Sequence, residues 1–438
     1  MLSVSQLYFA LLYSEYFAEF FLMHSMDSTV AERETGAGQL DSLRPFAGVL
    51  AVAMCGVFAF IDLYCTQPML PMFVQLFHVS KAAAGLTVSA STLGVALAAP
   101  VVGSYAERYN RKRIIVGSIF ALAVPTLLAA TAHSLPELVL WRFLQGVLMP
   151  GIFASAIAYV TEEWSEATVA IVMALYVSGT VLGGFLGRFV AGMITDHYGW
   201  QLSFVVLGVA NVAGGLLIAA WLPHARNSGP DLHAPNAESH LLRTLRHLQN
   251  MDLLVTFAIG FNILFALVSI FTYITFHLAA PPYGLSTSAL SLLFAVYLVG
   301  LVATPVGGLL LTRMDLRKGI LAATALSLVG VLCTLAPALW VIIVGLVCCS
   351  SGVFIAQAAA ISYLRRAAPP GARVSAAGLY LSCYYIGGTV AGILPGYAWR
   401  MGGWPACVAL TATVQLLTMA LILFGWRKRT VAPVGGAA

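Results

Sequence analysis

The sequence predicts an all-α membrane protein with twelve transmembrane helices, arranged as two six-helix bundles. Hydrophobic residues make up 60% of the 438 residues and charged residues only 9%, and the mean hydropathy is +0.91. Soluble chains are about half apolar and about a quarter charged, so this chain has too little polar material to cover a wet surface. Continuous apolar runs of about 18 or more residues recur, and each can cross a hydrocarbon core roughly 30 Å thick.

An internal repeat predicts the two bundles. Segment 100–108 returns as 305–313, 205 residues later, with its proline, glycine and arginine in place. Segment 176–184 returns as 380–388, 204 residues later. Repeats of this length in an apolar chain indicate a transporter built from two similar halves.

The elements follow in order from a leader at 1–44, which is either an amphipathic helix on the membrane or a product of translation starting upstream of the real start codon. The first bundle, 45–222, has predicted spans near 46–68, 82–103, 113–131, 136–160, 168–192 and 201–222. A polar connection, 223–251, leads to the second bundle, and a tail occupies 427–438. The second bundle, 252–426, has predicted spans near 252–277, 287–311, 318–336, 338–363, 374–398 and 405–425.

The basic residues predict the orientation. With the N-terminus in the cytoplasm, the outer loops hold only Lys81 and Arg400, and Arg142 and Arg188 lie within spans. The remaining 18 of the 22 lysines and arginines then fall in cytoplasmic loops and tails. This asymmetry predicts that both termini are cytoplasmic.

Composition also bears on partners. The net charge of +5 does not indicate nucleic acid, because the basic residues lie in loops between spans. The seven cysteines fall in or beside apolar runs without CxxC spacing, so we expect them to be packing residues. No metal or cofactor site is expected, and motifs of hydrolases and nucleotide-binding loops are absent from the sequence.

The charged loop after the second predicted span carries a specific motif, made of Gly103, Glu107, Arg108, Arg111 and Lys112. It resembles the hallmark loop of the major facilitator superfamily, G-x-x-x-D-R-x-G-R-[RK], and the resemblance covers about residues 45–430. In that family the loop holds the two halves together on the cytoplasmic side, which implies a gate here. Gly308 and Arg313 repeat Gly103 and Arg108 of the motif in the second half. Asn110 replaces the motif's second glycine, and asparagine is the best substitute where φ is positive.

Two further motifs resemble those of proton-coupled antiporters in the family. Arg142-Phe-Leu-Gln145-Gly matches R-x-x-q-G, which implies proton coupling through Arg142. In the fifth span Gly179, Gly183 and Gly187 are kept and predict close helix packing, but Arg188 replaces the motif's last glycine. The whole pattern resembles that of the bacterial YnfM-type inner-membrane transporters, which implies an inner-membrane location.

Three charged residues lie inside the predicted spans: Asp62, Arg142 and Arg188. Charges in hydrocarbon are costly and usually functional. Their positions put all three in the outer third of the membrane, where they could meet as a proton switch. The alternatives are a static ion pair between spans, or an Arg188 that reaches the headgroups. The second half has Leu346 where the first has Arg142, so the charge chemistry is confined to one half.

Polar and aromatic residues at mid-depth are candidates for the substrate cavity, although each could instead be an interhelical hydrogen bond or a packing residue. They are Gln67, Gln145, Tyr176, Asn262, Gln357, Tyr380 and Tyr384.

The predicted function is proton-coupled export of a small organic molecule by a monomeric, non-enzymatic transporter that rocks 45–222 against 252–426. The partners are then the substrate, protons and the lipid bilayer. Uptake or facilitated passage of a sugar or organic acid is the first alternative. A membrane enzyme or receptor is the second.

Overall fold

The structure, a computed structural model, is helical in the residues that it describes: 38–106, 110–223, 250–312, 314–368 and 373–426. The helices of the first half are α1 (Gly38–Phe60), α2 (Leu70–Leu76), α3 (Lys81–Ala106), α4 (Arg111–Ala129), α5 (Leu135–Glu163), α6 (Glu166–Tyr198) and α7 (Trp200–Trp221). Those of the second half are α8 (Met251–Ala279), α9 (Thr287–Leu293), α10 (Gly300–Thr312), α11 (Leu316–Cys333), α12 (Leu339–Ala367) and α13 (Arg373–Gly425). The predicted leader to residue 37, Glu107, Arg108, Arg313, most of the connection (224–249) and the tail (427–438) lie outside the described residues.

Ten helical segments in these ranges are long and apolar enough to cross a membrane. One of them, α13, is divided by the non-helical Gly402 and Gly403, and φ at Gly403 is +64°, which glycine adopts without strain. The first predicted span yields a shorter apolar helix, Phe46–Phe60. The chain is therefore a multi-pass helical membrane protein, and the count of twelve spans stays a prediction.

The first span is broken in its middle. After α1 the chain makes turns, then a 3₁₀ turn at Gln67–Met69, then α2. Pro68 has no backbone N–H, and the amide of Gln67 bonds the carbonyl of Tyr64 at 3.1 Å in an i→i+3 pattern. The carbonyl of Leu63 therefore lacks the α-helical bond that Gln67 would donate. A broken helix at membrane depth exposes backbone acceptors that other groups have to satisfy.

Helix packing follows the internal repeat. A Cβ atom built on Gly183 of α6 would overlap the carbonyl of Val57 in α1. At the positions 204 residues later, a Cβ atom on Gly387 of α13 would overlap the carbonyl of Phe261 in α8. Both bundles therefore use a glycine at the same place to bring two helix backbones into contact.

The two halves meet along α3 and α13 and along α6 and α9. A Cβ atom on Gly85 would overlap the carbonyl of Gly392, and Ser288 Oγ donates to Asp196 Oδ2 at 2.6 Å. These contacts involve the end of the molecule where α3, α5 and α7 begin. We call it the outer end, after the orientation that the basic residues predict. The halves therefore touch each other at the outer end.

Candidate functional site

Arg142 lies at the centre of a buried cluster in the first half. Its side chain is 0% exposed, and its Nη atoms donate to the carbonyls of Asp62 at 2.7 Å and Leu63 at 2.6 Å, in the break after α1. Further acceptors are the Thr87 carbonyl, Ser91 Oγ and Gln145 Oε1. A guanidinium has five N–H donors, and five oxygens accept from this one. Arg142 therefore satisfies the backbone that the broken helix exposes.

The carboxylate of Asp62 points to a different set of partners. Its Oδ2 accepts from Asn211 Nδ2 at 2.6 Å and from Thr126 Oγ1 at 3.5 Å. Oδ1 has no hydrogen-bond partner among the described residues, and no described ion pair joins the carboxylate to an arginine. Asp62 is 0% exposed. It is a buried carboxylate held by neutral donors.

Arg188 lies in a second cluster, which both halves build. Its guanidinium carbon is 4.7 Å from the ring centre of Tyr64, 4.9 Å from that of Phe294 and 4.5 Å from that of Tyr297. Nε donates to Gln67 Oε1 at 2.6 Å, and Nη1 donates to the carbonyl of Gly184. We call Tyr64, Gln67, Phe294 and Tyr297 the Arg188 box. The first two belong to the break after α1, and the last two to the 3₁₀ turn Phe294–Val299 of the second half.

The three charges therefore do not form one cluster. Asp62 and Arg142 meet through the Asp62 backbone, and Arg188 lies with the aromatic rings instead. It is 1% exposed and enclosed by protein, so it does not reach the headgroups. α6 runs to Tyr198, six residues beyond the predicted end of that span. Ten residues separate Arg188 from that end, which is about 15 Å at about 1.5 Å per residue, so Arg188 is deeper than the predicted span implied.

The cavity candidates divide between the two clusters and the second half. Gln67 is in the Arg188 box, and its Nε2 donates to Thr272 Oγ1 at 2.9 Å. Gln145 is in the Arg142 cluster and donates to Thr126 Oγ1 at 2.9 Å. The others lie apart from both arginines in the described contacts. Tyr176, Asn262 and Tyr380 are buried, and Gln357 and Tyr384 are partly buried.

Tyr380 and Asn262 carry buried polar atoms without partners in the described part of the chain, the hydroxyl oxygen and Oδ1 respectively. The rings of Tyr380 and Tyr384 stack with centres 6.3 Å apart. Unpaired polar atoms of this kind could accept a hydrogen bond from a ligand.

The gate motif is described only in part. Arg111 pairs with Glu162 of α5, with Nη2 2.7 Å from Oε1. Lys112 is partly buried beside it in the first turn of α4, and Gly103 is in α3. A Cβ atom on Gly308 would meet nothing within 4 Å.

The expected positive φ at Asn110 is wrong. Its φ is −60°, and its side chain accepts from the amide of Arg113 at 3.3 Å as the N-cap of α4. Asp315 caps α11 in the same way, with its carboxylate 2.9 Å from the amide of Arg317. Asn110 thus caps a helix and does not adopt a left-handed conformation.

The glycines of the fifth predicted span lie on the face of α6 that meets α1. Cβ atoms on Gly179, Gly183 and Gly187 would overlap the carbonyls of Ala53, Val57 and Ile61 in turn. Arg188 follows the last of them directly. The contact between Gly187 and Ile61 therefore sets how far the Arg188 side chain stands from the break after α1.

Several residues of the two clusters were not among the predicted site residues. Asn211 is an amide in the middle of an apolar span, a signal that could have identified it. Thr126 and Ser91 give no such signal, because hydroxyls in membrane helices usually bond their own backbone. Phe294 and Tyr297 were indistinguishable from packing aromatics in the sequence.

Comparisons with known proteins agree on one family. The model of the Major Facilitator Superfamily matches residues 52–294 and 273–437. The inner membrane transport protein YnfM of Escherichia coli (strain K12) is 32% identical to this chain over 371 residues. The alignment covers 84% of this chain and 88% of the YnfM chain. An uncharacterized transporter of Buchnera aphidicola subsp. Schizaphis graminum is 30% identical over 375 residues, covering 86% and 90%.

Among solved structures, a bacterial homolog of the human lysosomal transporter Spinster, in an inward-facing and occupied conformation, aligns with a TM-score of 0.69. The alignment covers 87% of this chain and 97% of that one at 16% identity, so it supports the fold alone.

Proposed function

Because the chain belongs to the major facilitator superfamily and is a transporter rather than an enzyme, we propose that it couples the movement of a small organic molecule to protons through Asp62. Transport proceeds by alternating access, with 45–222 rocking against 252–426. The favoured direction is export in exchange for protons. Uptake or facilitated passage of a sugar or organic acid by the same fold is the alternative.

The observation that carries the proton site is the isolation of the Asp62 carboxylate. It is buried, it accepts only from neutral donors, and one oxygen has no described partner. An ionised carboxylate that makes no ion pair is costly at this depth, and protonation removes the cost. Thr126 and Gln145 connect it to the Arg142 cluster, so a proton on Asp62 changes the hydrogen bonds around the break after α1.

The membrane topology extends this proposal. Twelve crossings follow if α13 counts as two spans, divided at Gly402 and Gly403, and if α1 with α2 counts as one broken span. With twelve crossings both termini are cytoplasmic. As a separate part of the proposal, the protein works as a monomer in the inner membrane of a bacterium. A cysteine introduced at residue 30 and another at residue 400, labelled from one side of intact cells, test this orientation.

The deciding experiment is substrate-dependent proton movement in proteoliposomes that contain the full chain. A panel of lipophilic cations, sugars and organic acids is added across an imposed pH gradient, with wild type and Asp62→Asn compared. We expect one class to collapse the gradient in the wild type and not in Asp62→Asn. Glu137→Gln, which removes a carboxylate at the start of α5 outside the cluster, is the matched control and should behave as wild type.

The outcomes separate the candidate functions. Equal transport by both proteins without proton movement makes Asp62 structural and the protein a facilitator. Inverted membrane vesicles then assign direction: accumulation of substrate in an acidified lumen means export. Release of a chemically altered product would instead revive an enzymatic function.

A further inference from the structure

The Arg188 box holds a buried cation that no described acidic residue neutralises. The rings of Tyr64, Phe294 and Tyr297 stabilise the guanidinium through their faces, and Gln67 supplies a neutral oxygen. Within the described part of the chain, Nη2 makes no hydrogen bond and no carboxylate pairs with Arg188. Rings and amides do not cancel a charge, so the site keeps an unmatched positive charge and donor capacity.

The box is built where helices are interrupted. Tyr64 and Gln67 come from the break after α1, and Phe294 and Tyr297 from the 3₁₀ turn between α9 and α10. In membrane transporters, interrupted helices at mid-depth mark places where substrate binds between the halves. Gln67 Nε2 also donates to Thr272 Oγ1 of α8, in the second half, at 2.9 Å. The geometry of the box therefore depends on the relative position of the two halves.

The internal repeat shows that a cation is not needed to join the halves. The position equivalent to Arg188, 204 residues later, is Gly392, which packs its backbone against Gly85 of the other half. Ser89 Oγ donates to the carbonyl of Thr389 at 2.7 Å in the same contact. Where α3 meets α13, small residues thus join the two halves without any charge. Where α6 meets the second half, an arginine with three rings takes their place.

We propose that Arg188 binds the anionic group of the transported molecule and that the substrate is a small organic monoanion with an apolar or aromatic body. Arginine holds a carboxylate in a bidentate geometry through parallel N–H donors. The rings of the box would contact an apolar body bound beside it. The proposal rests on the transport function proposed above and names its substrate class.

The experiment compares carboxylates with their neutral amides, using purified full-length protein. The probe pairs are benzoate with benzamide, phenylacetate with phenylacetamide and hexanoate with hexanamide, followed by the shift in Tm and by uptake into proteoliposomes. In the wild type, at least one carboxylate should bind at least tenfold more tightly than its amide. Arg188→Gln should abolish that preference, and Arg188→Lys should keep part of it.

The result that overturns the proposal is a wild type in which no carboxylate exceeds its amide. Equal losses for carboxylates and amides in Arg188→Gln also overturn it, since Arg188 would then only hold the halves together. The wild-type comparison stands even where Arg188→Gln fails to fold. If the protein transports only a sugar or a cation together with protons, the proposed function stands and the anionic substrate is wrong. If carboxylates bind through Arg188 but no protons move, the anionic substrate stands and proton coupling is wrong.

Discussion

Two buried arginines in the same half of the molecule are held in opposite ways. Arg142 donates to five oxygens, three of them backbone carbonyls, and all of them lie in the first half. Arg188 donates to two oxygens and is otherwise surrounded by rings, two of which belong to the second half. Both are nearly inaccessible, so burial does not distinguish them.

The difference shows that the use of donors indicates the role of a buried charge better than its depth does. A guanidinium whose N–H groups are all taken by fixed acceptors has nothing left for a ligand. One that is stabilised mainly by ring faces keeps N–H groups that can turn to a new acceptor. We therefore expect Arg142 to stabilise the first half and Arg188 to bind a ligand between the halves, and proton coupling through Arg142 stays a prediction.

The largest expected effect tests the structural role of Arg142. Replacing Arg142 by leucine, the residue at the equivalent position of the second half, leaves several buried acceptors without donors, at about 1–3 kcal/mol each. We expect a loss of stability of about 3 kcal/mol or more, seen as a sharp fall in Tm and in monodisperse protein. Arg188→Gln should be much milder, and similar losses in the two variants would erase the distinction.

A smaller effect is expected at the backbone contact that positions Arg188. Gly187→Val places side-chain atoms against the Ile61 carbonyl and should force α6 away from α1, at about 1–3 kcal/mol. Transport should fall together with Tm, because Arg188 moves away from Gln67. Gly117→Val is the control, since a Cβ atom there meets nothing within 4 Å. Equal behaviour of the two variants would mean that α6 can adjust freely.

The smallest effect sharpens the description of the box. Tyr297→Leu removes the ring nearest to the Arg188 guanidinium, and a cation–π contact contributes about 0.5–2 kcal/mol. We expect a modest drop in Tm. Tyr297→Phe keeps the ring and should stay close to the wild type. A larger drop in Tyr297→Phe than in Tyr297→Leu would show that the hydroxyl, not the ring, matters.

The fold class and the repeat were predictable because both depend on composition and spacing, which the chain displays directly. Asp62, Arg142 and Arg188 could be singled out for the same reason, as charges inside apolar runs. Their partners could not. Arg142 bonds backbone carbonyls that become acceptors only when the first span breaks, and a single proline does not reveal where such carbonyls point.

The box around Arg188 was beyond prediction for another reason. Phe294 and Tyr297 lie more than a hundred residues away and belong to the other half, so only the packing of the two halves brings them to the guanidinium. Asn110 gives the converse lesson. The family pattern suggested a left-handed turn, but the residue caps the next helix instead.

The unmatched charge of Arg188 has an electrical consequence. If a bound anion cancels it, the loaded transporter changes conformation without moving net charge through that site, and the empty transporter carries the positive charge alone. Moving one elementary charge through 100 mV is worth about 2.3 kcal/mol. The resting voltage of a cell would then act on the return of the empty protein, and turnover would follow the membrane potential even when the substrate gradient is held constant.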